Sequence, residues 1–157
     1  MSLRRIVNWL TSVASYFAPL ALRIALALPF FRSGLTKWDA PGRLSPSASY
    51  LFSEEFRLHL LGQTVPFPAP LLFAYVDGAM EIVLPLLLLL GLSTRFSALG
   101  LLVMTGVIQL VVPGGWEMYH LPWAAMALGL IAMGPGRISL DHLIGRHFPA
   151  TQPGPTE

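Results

Sequence analysis

Apolar positions run along this chain in long blocks separated by short polar breaks, and the block lengths predict helices that cross a bilayer. Residues 71–92 (LLFAYVDGAMEIVLPLLLLLGL) are almost unbroken hydrocarbon. At ~1.5 Å rise per residue, such a stretch spans a hydrocarbon core of ~30 Å. Residues 19–35, 96–112 and 117–133 have the same character. The break Gly91-Leu92-Ser93-Thr94-Arg95 is too short to cross anything, so the third block returns antiparallel beside the second. Pro113-Gly114-Gly115 separates the third block from the fourth, and Gly134-Pro135-Gly136 ends the fourth. Pro19 suits the first turn of the first span, and Pro29 is expected to kink it. The pattern predicts an all-α fold: an integral-membrane four-helix bundle with amphipathic surface helices. It forms one transmembrane domain over residues 1–136, followed by a cytoplasmic, partly disordered tail over 137–157.

Outside the spans, the apolar positions form shorter patterns. Residues 3–13 (LRRIVNWLTSV) place Leu3, Ile6, Val7, Leu10 and Val13 at helical spacing, with Arg4, Arg5 and Asn8 elsewhere. Such a segment either lies in the membrane interface or extends the first span. In the connection 36–70, Ser45-Pro46-Ser47 reads as a helix start. Residues 50–61 (YLFSEEFRLHLL) read as an amphipathic helix with Glu54, Glu55, Arg57 and His59 on its polar side. Pro66, Pro68 and Pro70 then enforce an extended approach to the second span. This connection is expected to pack over the bundle as a lid or to lie in the interface. In the tail, residues 140–146 predict a short surface helix.

Composition agrees with this picture. The chain is 54% hydrophobic and 11% charged, whereas soluble domains carry about 25% charged residues. A formal net charge of +2 is too small, and too scattered, for a nucleic-acid surface. The absence of cysteine excludes a thiol–disulfide mechanism, a thiolate metal site and a structural disulfide, and leaves the compartment open. No clear cleavage site follows the first apolar run, so the first span is expected to act as its own uncleaved signal. Arg4, Arg5, Arg95, Arg137 and Arg146 fall on one side of the spans. Lys37, Arg43 and Arg57 fall on the other, mixed with Asp39, Glu54 and Glu55. Positive charge favours the cytoplasmic side. The expected location is a bacterial inner membrane, multi-pass, with both termini cytoplasmic and the long connection outside.

Candidate chemistry centres on the second span. Asp77 and Glu81 are four residues apart and share a helical face. An ionisable group at membrane depth costs at least ~2.5–3.5 kcal/mol on insertion scales, so this face is expected to turn toward protein. Helical rise sets Arg32, Asp77 and Gln109 at roughly 20 Å above the cytoplasmic edge, with Glu81 at roughly 15 Å. Glu117, Tyr119 and His120 fall just above, at the outer mouth. Arg23, near ~6 Å, is expected to snorkel to the cytoplasmic surface. The candidate ligand-binding residues are therefore Arg32, Asp77, Glu81, Gln109 and His120. Two readings stay open. Arg32 with Asp77 or Glu81 forms a buried pair that fixes helix register, or the cluster marks a site for a ligand, ion or electron carrier.

Met118-x-His120 is a weak copper(I) pattern. No closed metal-ligand set, nucleotide-binding glycine loop or nucleophile–base arrangement is present, and the four histidines supply no facing pair inside the spans for haem. No catalytic residue is assigned. Trp38, Trp116 and Trp123 read as an outer aromatic belt.

Two stretches carry a resemblance. Leu22-Arg23-Ile24-Ala25-Leu26, with Phe30/Phe31 and Gly34-Leu35-Thr36-Lys37, is similar to the first-helix signature of the DoxX-like membrane proteins. Met80-Glu81-Ile82, with the run from Gly91-Leu92-Ser93-Thr94-Arg95 to Gly100, resembles that family's acidic second helix and Gly-Leu-x-x-Arg turn. The similarity covers roughly residues 18–134 and singles out Arg23, Gly34, Lys37, Glu81 and Arg95. It implies a four-helix membrane bundle. The family's named member type is a subunit of a thiosulfate:quinone oxidoreductase, and other members are linked to redox or oxidative-stress systems. The chain lacks the cysteines of the related thiol-redox membrane proteins, and its long outer loop and Trp116–His120 stretch look like additions.

The resemblance and the charge cluster together suggest a quinone-linked redox subunit that depends on a partner for any catalysis. Asp77 or Glu81 would accept a quinol proton, and Arg32 or Gln109 would hold a quinone oxygen. Expected partners are the lipid bilayer and a membrane or periplasmic redox protein, with a homo-oligomer left open and no nucleic acid. Quinone is the one cofactor suggested; neither haem nor nucleotide is expected. The rival readings are a small transporter or copper-type metal-handling protein, and a structural assembly factor.

Overall fold

A computed structural model describes residues 2–147. Helix α1 (Leu3–Thr36) runs for 34 residues, through both Pro19 and Pro29. At about 1.5 Å per residue it is roughly 51 Å long. The first span therefore does not begin at Pro19; residues 3–17 extend it. Strong helix formers flank the proline in Leu20, Ala21 and Leu22, and an apolar membrane helix tolerates the missing donor.

Helices α3 (Pro70–Leu90) and α4 (Thr94–Val111) follow the connection that begins at Lys37. With α1, they are the three helices among the described residues long and apolar enough to cross a membrane. Helix α5 (Leu121–Met133) has 13 residues and is entered directly from a π-helical turn, Trp116–His120. α1 packs against α3 and α5, and α4 packs against the same two. Their common core is Leu26, Ala27 and Phe30 from α1, Leu88 from α3, Ala98 and Leu101 from α4, and Ala127 and Leu130 from α5. Lipid removes most of the hydrophobic drive for association, so close van der Waals packing matters more. The alanines at these contacts let the backbones approach.

The connection departs from the all-helical expectation. Strands β1 (Trp38–Ala40) and β2 (Arg43–Leu44) form one antiparallel hairpin, β3 (Arg57–Leu60) and β4 (Gln63–Pro66) another. Helix α2 (Pro46–Tyr50) starts where the sequence places it: the Ser45 Oγ accepts the Ala48 N–H at 3.2 Å, and Pro46 fills the first turn. It continues as a π-helical turn, Leu51–Glu55, and stops there. The helix expected over 50–61 is thus cut short. Arg57-Leu58-His59-Leu60 alternates polar and apolar, a period that suits a strand. Leu61 and Gly62, with φ of 49° and 81°, make the two-residue hairpin turn. Leu44, Ala48, Phe52 and Phe67 of this insert form a second core with Ala74 of α3, and Val111 of α4 packs on it.

At the opposite end of α3, the Arg23 side chain is buried and does not snorkel. Its guanidinium donates to the Leu88 and Leu89 carbonyls at 2.7 and 2.5 Å, and to those of Ile138 and Pro135 at 2.6 and 3.1 Å. The last carbonyls of a helix have no partner inside it, and a planar fork of donors satisfies two of them at once. Gly91, at φ 68°, caps α3 in the left-handed region; a side chain there would run into Arg23 and Ser139. The short helix α6 (Leu140–His147) completes the latch. Its Asp141 carboxylate accepts the Ser93 and Thr94 N–H groups at 2.7 and 2.9 Å, capping the start of α4. The disorder expected at the far end of the tail concerns residues 148–157, which lie outside the described residues.

Replacing Arg23 by Leu removes these bonds and leaves buried carbonyls unpaired. The expected loss is on the order of 3 kcal/mol of stability, read as a lowered unfolding midpoint of the detergent-solubilised protein. An unchanged midpoint would show that the carbonyls find other donors.

Candidate functional site

The buried positions of α1 include Arg23, Leu26, Phe30 and Gly34, spaced three or four apart, so they form one stripe facing the other helices. Continuing the stripe by three residues gives Lys37, which follows the last residue of α1 as its C-cap. Gly34 lies against α3: a Cβ there would meet the Glu81 Cβ at 2.9 Å and its backbone at 3.0 Å. The missing side chain lets the two backbones touch, which brings the Lys37 ammonium between two acids of α3. It forms a hydrogen-bonded ion pair with Glu81, lies 3.0 Å from the Asp77 carboxylate and donates to the Ser33 Oγ at 3.1 Å. Two of its N–H donors are thus hydrogen-bonded, to Glu81 and Ser33, and its charge is shared with Asp77.

The two acids are not equivalent. The Glu81 side chain keeps 4% of its exposure and the Asp77 side chain 24%. Glu81 is locked against Lys37, while Asp77 presents an accessible edge. That edge faces a cavity of about 220 Å³, lined at one wall by Ser33, Lys37, Asp77 and Glu81. Phe30, Phe52, Phe56, Phe67, Phe73 and Trp123 supply the aromatic walls, drawn from α1, α3, α5 and the insert. Phe73, Val107 and Val112 line the cavity and are themselves exposed, so it reaches the outer surface of the bundle. Drug-sized ligand pockets run to roughly 300–1,000 Å³, so this space suits one ring or headgroup.

Of the residues singled out by depth, Asp77 and Glu81 come together here. Arg32 does not join them. It is exposed, because it lies two residues from both Phe30 and Gly34, about 200° around the helix from the buried stripe. Depth fixes height but not direction, and Lys37 takes the cation's place. Gln109 and His120 pair with each other, with the His120 Nδ1 against the Gln109 Oε1, while the Gln109 amide donates to the Pro113 carbonyl at 3.1 Å. They brace the α4–α5 turn behind the cavity, the His120 ring 5.6 Å from that of Trp123.

Met118 is exposed and His120 buried, so the Met-x-His pair does not converge. No group of three or more His, Asp or Glu able to hold a metal occurs among the described residues. Two of the three belt tryptophans also turn inward. Trp123 packs on Phe30 with ring centroids 5.0 Å apart, and Trp38 lies over Gly78 and donates to its carbonyl at 3.3 Å. Trp116 stays exposed. Of the positions singled out by family resemblance, Lys37 and Glu81 line the cavity and Gly34 packs on Glu81 behind them. Arg23 clamps the far end of α3, and exposed Arg95 lies beside Gly134.

Relatives place the chain among membrane proteins. An uncharacterised membrane protein of Mycobacterium tuberculosis is 35% identical over 149 residues, covering 83% of each chain. An uncharacterised protein of Haemophilus influenzae is 33% identical over 149 residues, covering 87% of this chain and 89% of its own. No solved structure matches significantly. The profile of the DoxX family matches residues 18–114, which include α1 from Ala18 onward, the insert, α3 and α4. This chain is a membrane protein of the DoxX family.

Proposed function

We propose that this protein is a quinone-binding membrane subunit, and that the cavity beside Lys37, Asp77 and Glu81 receives the quinone headgroup. The observation that carries this reading is the joining of an aromatic-walled, ring-sized space to a wall of ionisable groups at membrane depth. Aromatic walls suit a flat ring, and the opening at Phe73 and Val112 leaves room for a hydrocarbon tail to run into lipid. Lys37 donates to a ring oxygen by exchanging one of its present partners. A hydroquinone that passes two electrons to a partner's redox centre releases two protons; Asp77, the accessible carboxylate, is positioned to take the first and pass it to water before it takes the second. The subunit binds and deprotonates; electron transfer belongs to a membrane or periplasmic partner.

In this reading residues 1–136 form a single transmembrane domain. α5 and the turn that leads into it make the fourth crossing, in an inner membrane with both termini cytoplasmic. The distribution of Arg and Lys supports that orientation.

Protein purified in mild detergent is expected to retain quinone, detected by mass spectrometry of the extract. Supplied as hydroquinone under reducing conditions, the ligand is expected to bind Asp77→Asn about tenfold more weakly than wild type, the loss of one charge-assisted hydrogen bond from a ring hydroxyl. Wild-type protein that carries no quinone, and binds none when it is supplied, would overturn the reading.

The ion pair itself is tested by unfolding. Lys37→Met leaves the buried Glu81 and the half-buried Asp77 without a cation and is expected to cost about 3–5 kcal/mol. Adding Glu81→Gln is expected to recover part of that loss in the unfolding midpoint, and no recovery would mean that Glu81 is not the partner held by charge.

A further inference from the structure

Leu61, at the tip of the β3–β4 hairpin, is at odds with its turn on two counts. A two-residue turn with φ of 49° and 81° favours asparagine or aspartate before the glycine, because a bulky side chain crowds the backbone at positive φ. Leucine holds that place, and its side chain is fully exposed, with Leu60 beside it at 42%. Neither the geometry of the turn nor packing within the insert calls for it. Burial along the hairpin shows which way it runs. Phe56 and Leu58 pack on the second core, and Phe67, just after β4, is buried in it. From His59 to Thr64 every residue is exposed, and none from Leu60 to Pro66 is charged. β3 lies against α4, where the His59 Nδ1–H donates to the Leu110 carbonyl at 3.0 Å. Leu110 belongs to the last turn of a helix long and apolar enough to span. The hairpin thus starts in the insert's core, passes the end of α4 at His59 and runs on into the open. Leu61 lies two residues further, roughly 7 Å at the rise of a strand.

We propose that this tip is a membrane anchor: Leu60 and Leu61 enter the lipid interface beside the C-terminal end of α4. The occupant follows from level and chemistry. A spanning helix ends where hydrocarbon gives way to headgroups, and a group that reaches past its side at that height meets lipid. The exposed α4 side chains at this level, Val107, Leu110 and Val112, are apolar as well. An uncharged tip with two leucines suits the boundary between headgroups and acyl chains, where headgroups and water still serve the backbone of the turn. The hairpin has a second connection. β3 follows directly on Phe56 and β4 leads into Phe67, and both phenylalanines line the cavity. Anchoring the tip holds these two walls at a fixed height in the bilayer, independently of what the cavity receives.

The chain has no cysteine, so one introduced thiol carries one probe. Full-length protein with Leu60→Cys, or with Glu54→Cys elsewhere on the insert, is labelled with the fluorophore NBD and reconstituted into phosphatidylethanolamine–phosphatidylglycerol vesicles. A phospholipid with a nitroxide high on its acyl chain is expected to quench position 60 about threefold more than position 54, as an interfacial depth requires. Iodide in the water is expected to do the reverse. Leu61→Asn, added to the Leu60→Cys protein, is expected to bring nitroxide quenching down to the level of position 54. Its unfolding midpoint in detergent is expected to stay the same or rise, because asparagine suits the turn. Quenching of position 60 by iodide and not by nitroxide places the tip in water and overturns the proposal. Shielding from both means that protein covers the tip, and overturns it equally. Nitroxide quenching that survives Leu61→Asn, or a midpoint that falls, shows that Leu61 is not there as an anchor.

Discussion

An acid at the depth of a membrane helix must find a counter-charge inside the protein, and here one lysine answers two acids. Lys37 reaches Asp77 and Glu81 because Gly34, one turn earlier, lets α1 and α3 touch. Beyond Thr36 the chain leaves the helix, and the hairpin β1–β2 with α2 takes over the wall beside the upper part of α3. The cavity exists at that junction. Its polar wall comes from the end of one helix and the middle of another, and much of its aromatic wall from the insert that replaces the missing turns.

The two cations on the inner stripe of α1 do different chemistry. Arg23 meets backbone carbonyls at the end of α3, where a planar guanidinium can serve several acceptors at once. Lys37 meets carboxylates, for which a compact ammonium on a flexible stem is well suited. Between them the core is built from alanine, leucine and phenylalanine. The ends of the α1–α3 contact are thus fixed by polar bonds and its middle by shape.

Much of this is legible in the sequence, and the parts that are not share a cause. Block lengths and breaks locate α3 and α4 to within two residues at each end, and Ser45-Pro46 marks the start of α2. Asp77 and Glu81 announce a protein-facing side by their chemistry alone. Height along an axis can be counted, but height without direction around the axis sets Arg32 against the acids where Lys37 belongs. The stripe Arg23, Leu26, Phe30, Gly34 carries that direction, because Lys37 is its next member. Alternation in Arg57-Leu58-His59-Leu60 competes with a helical reading that only tertiary contact can settle. The four-carbonyl role of Arg23 and the capping role of Asp141 depend on turns distant in sequence, and no local pattern announces them.

The insert has a consequence for the order in which the chain is assembled during synthesis. Phe52 and Phe67 leave the ribosome before α3 and α4, yet the surfaces that bury them, Ala74 and Val111, belong to those later helices. An earlier element must therefore wait, with its phenylalanines uncovered, for its own scaffold to arrive. Closure of the cavity is then a late folding step that follows α4, and a nascent chain stalled before that point has the charges of the site but lacks the wall that α4 and Trp123 supply.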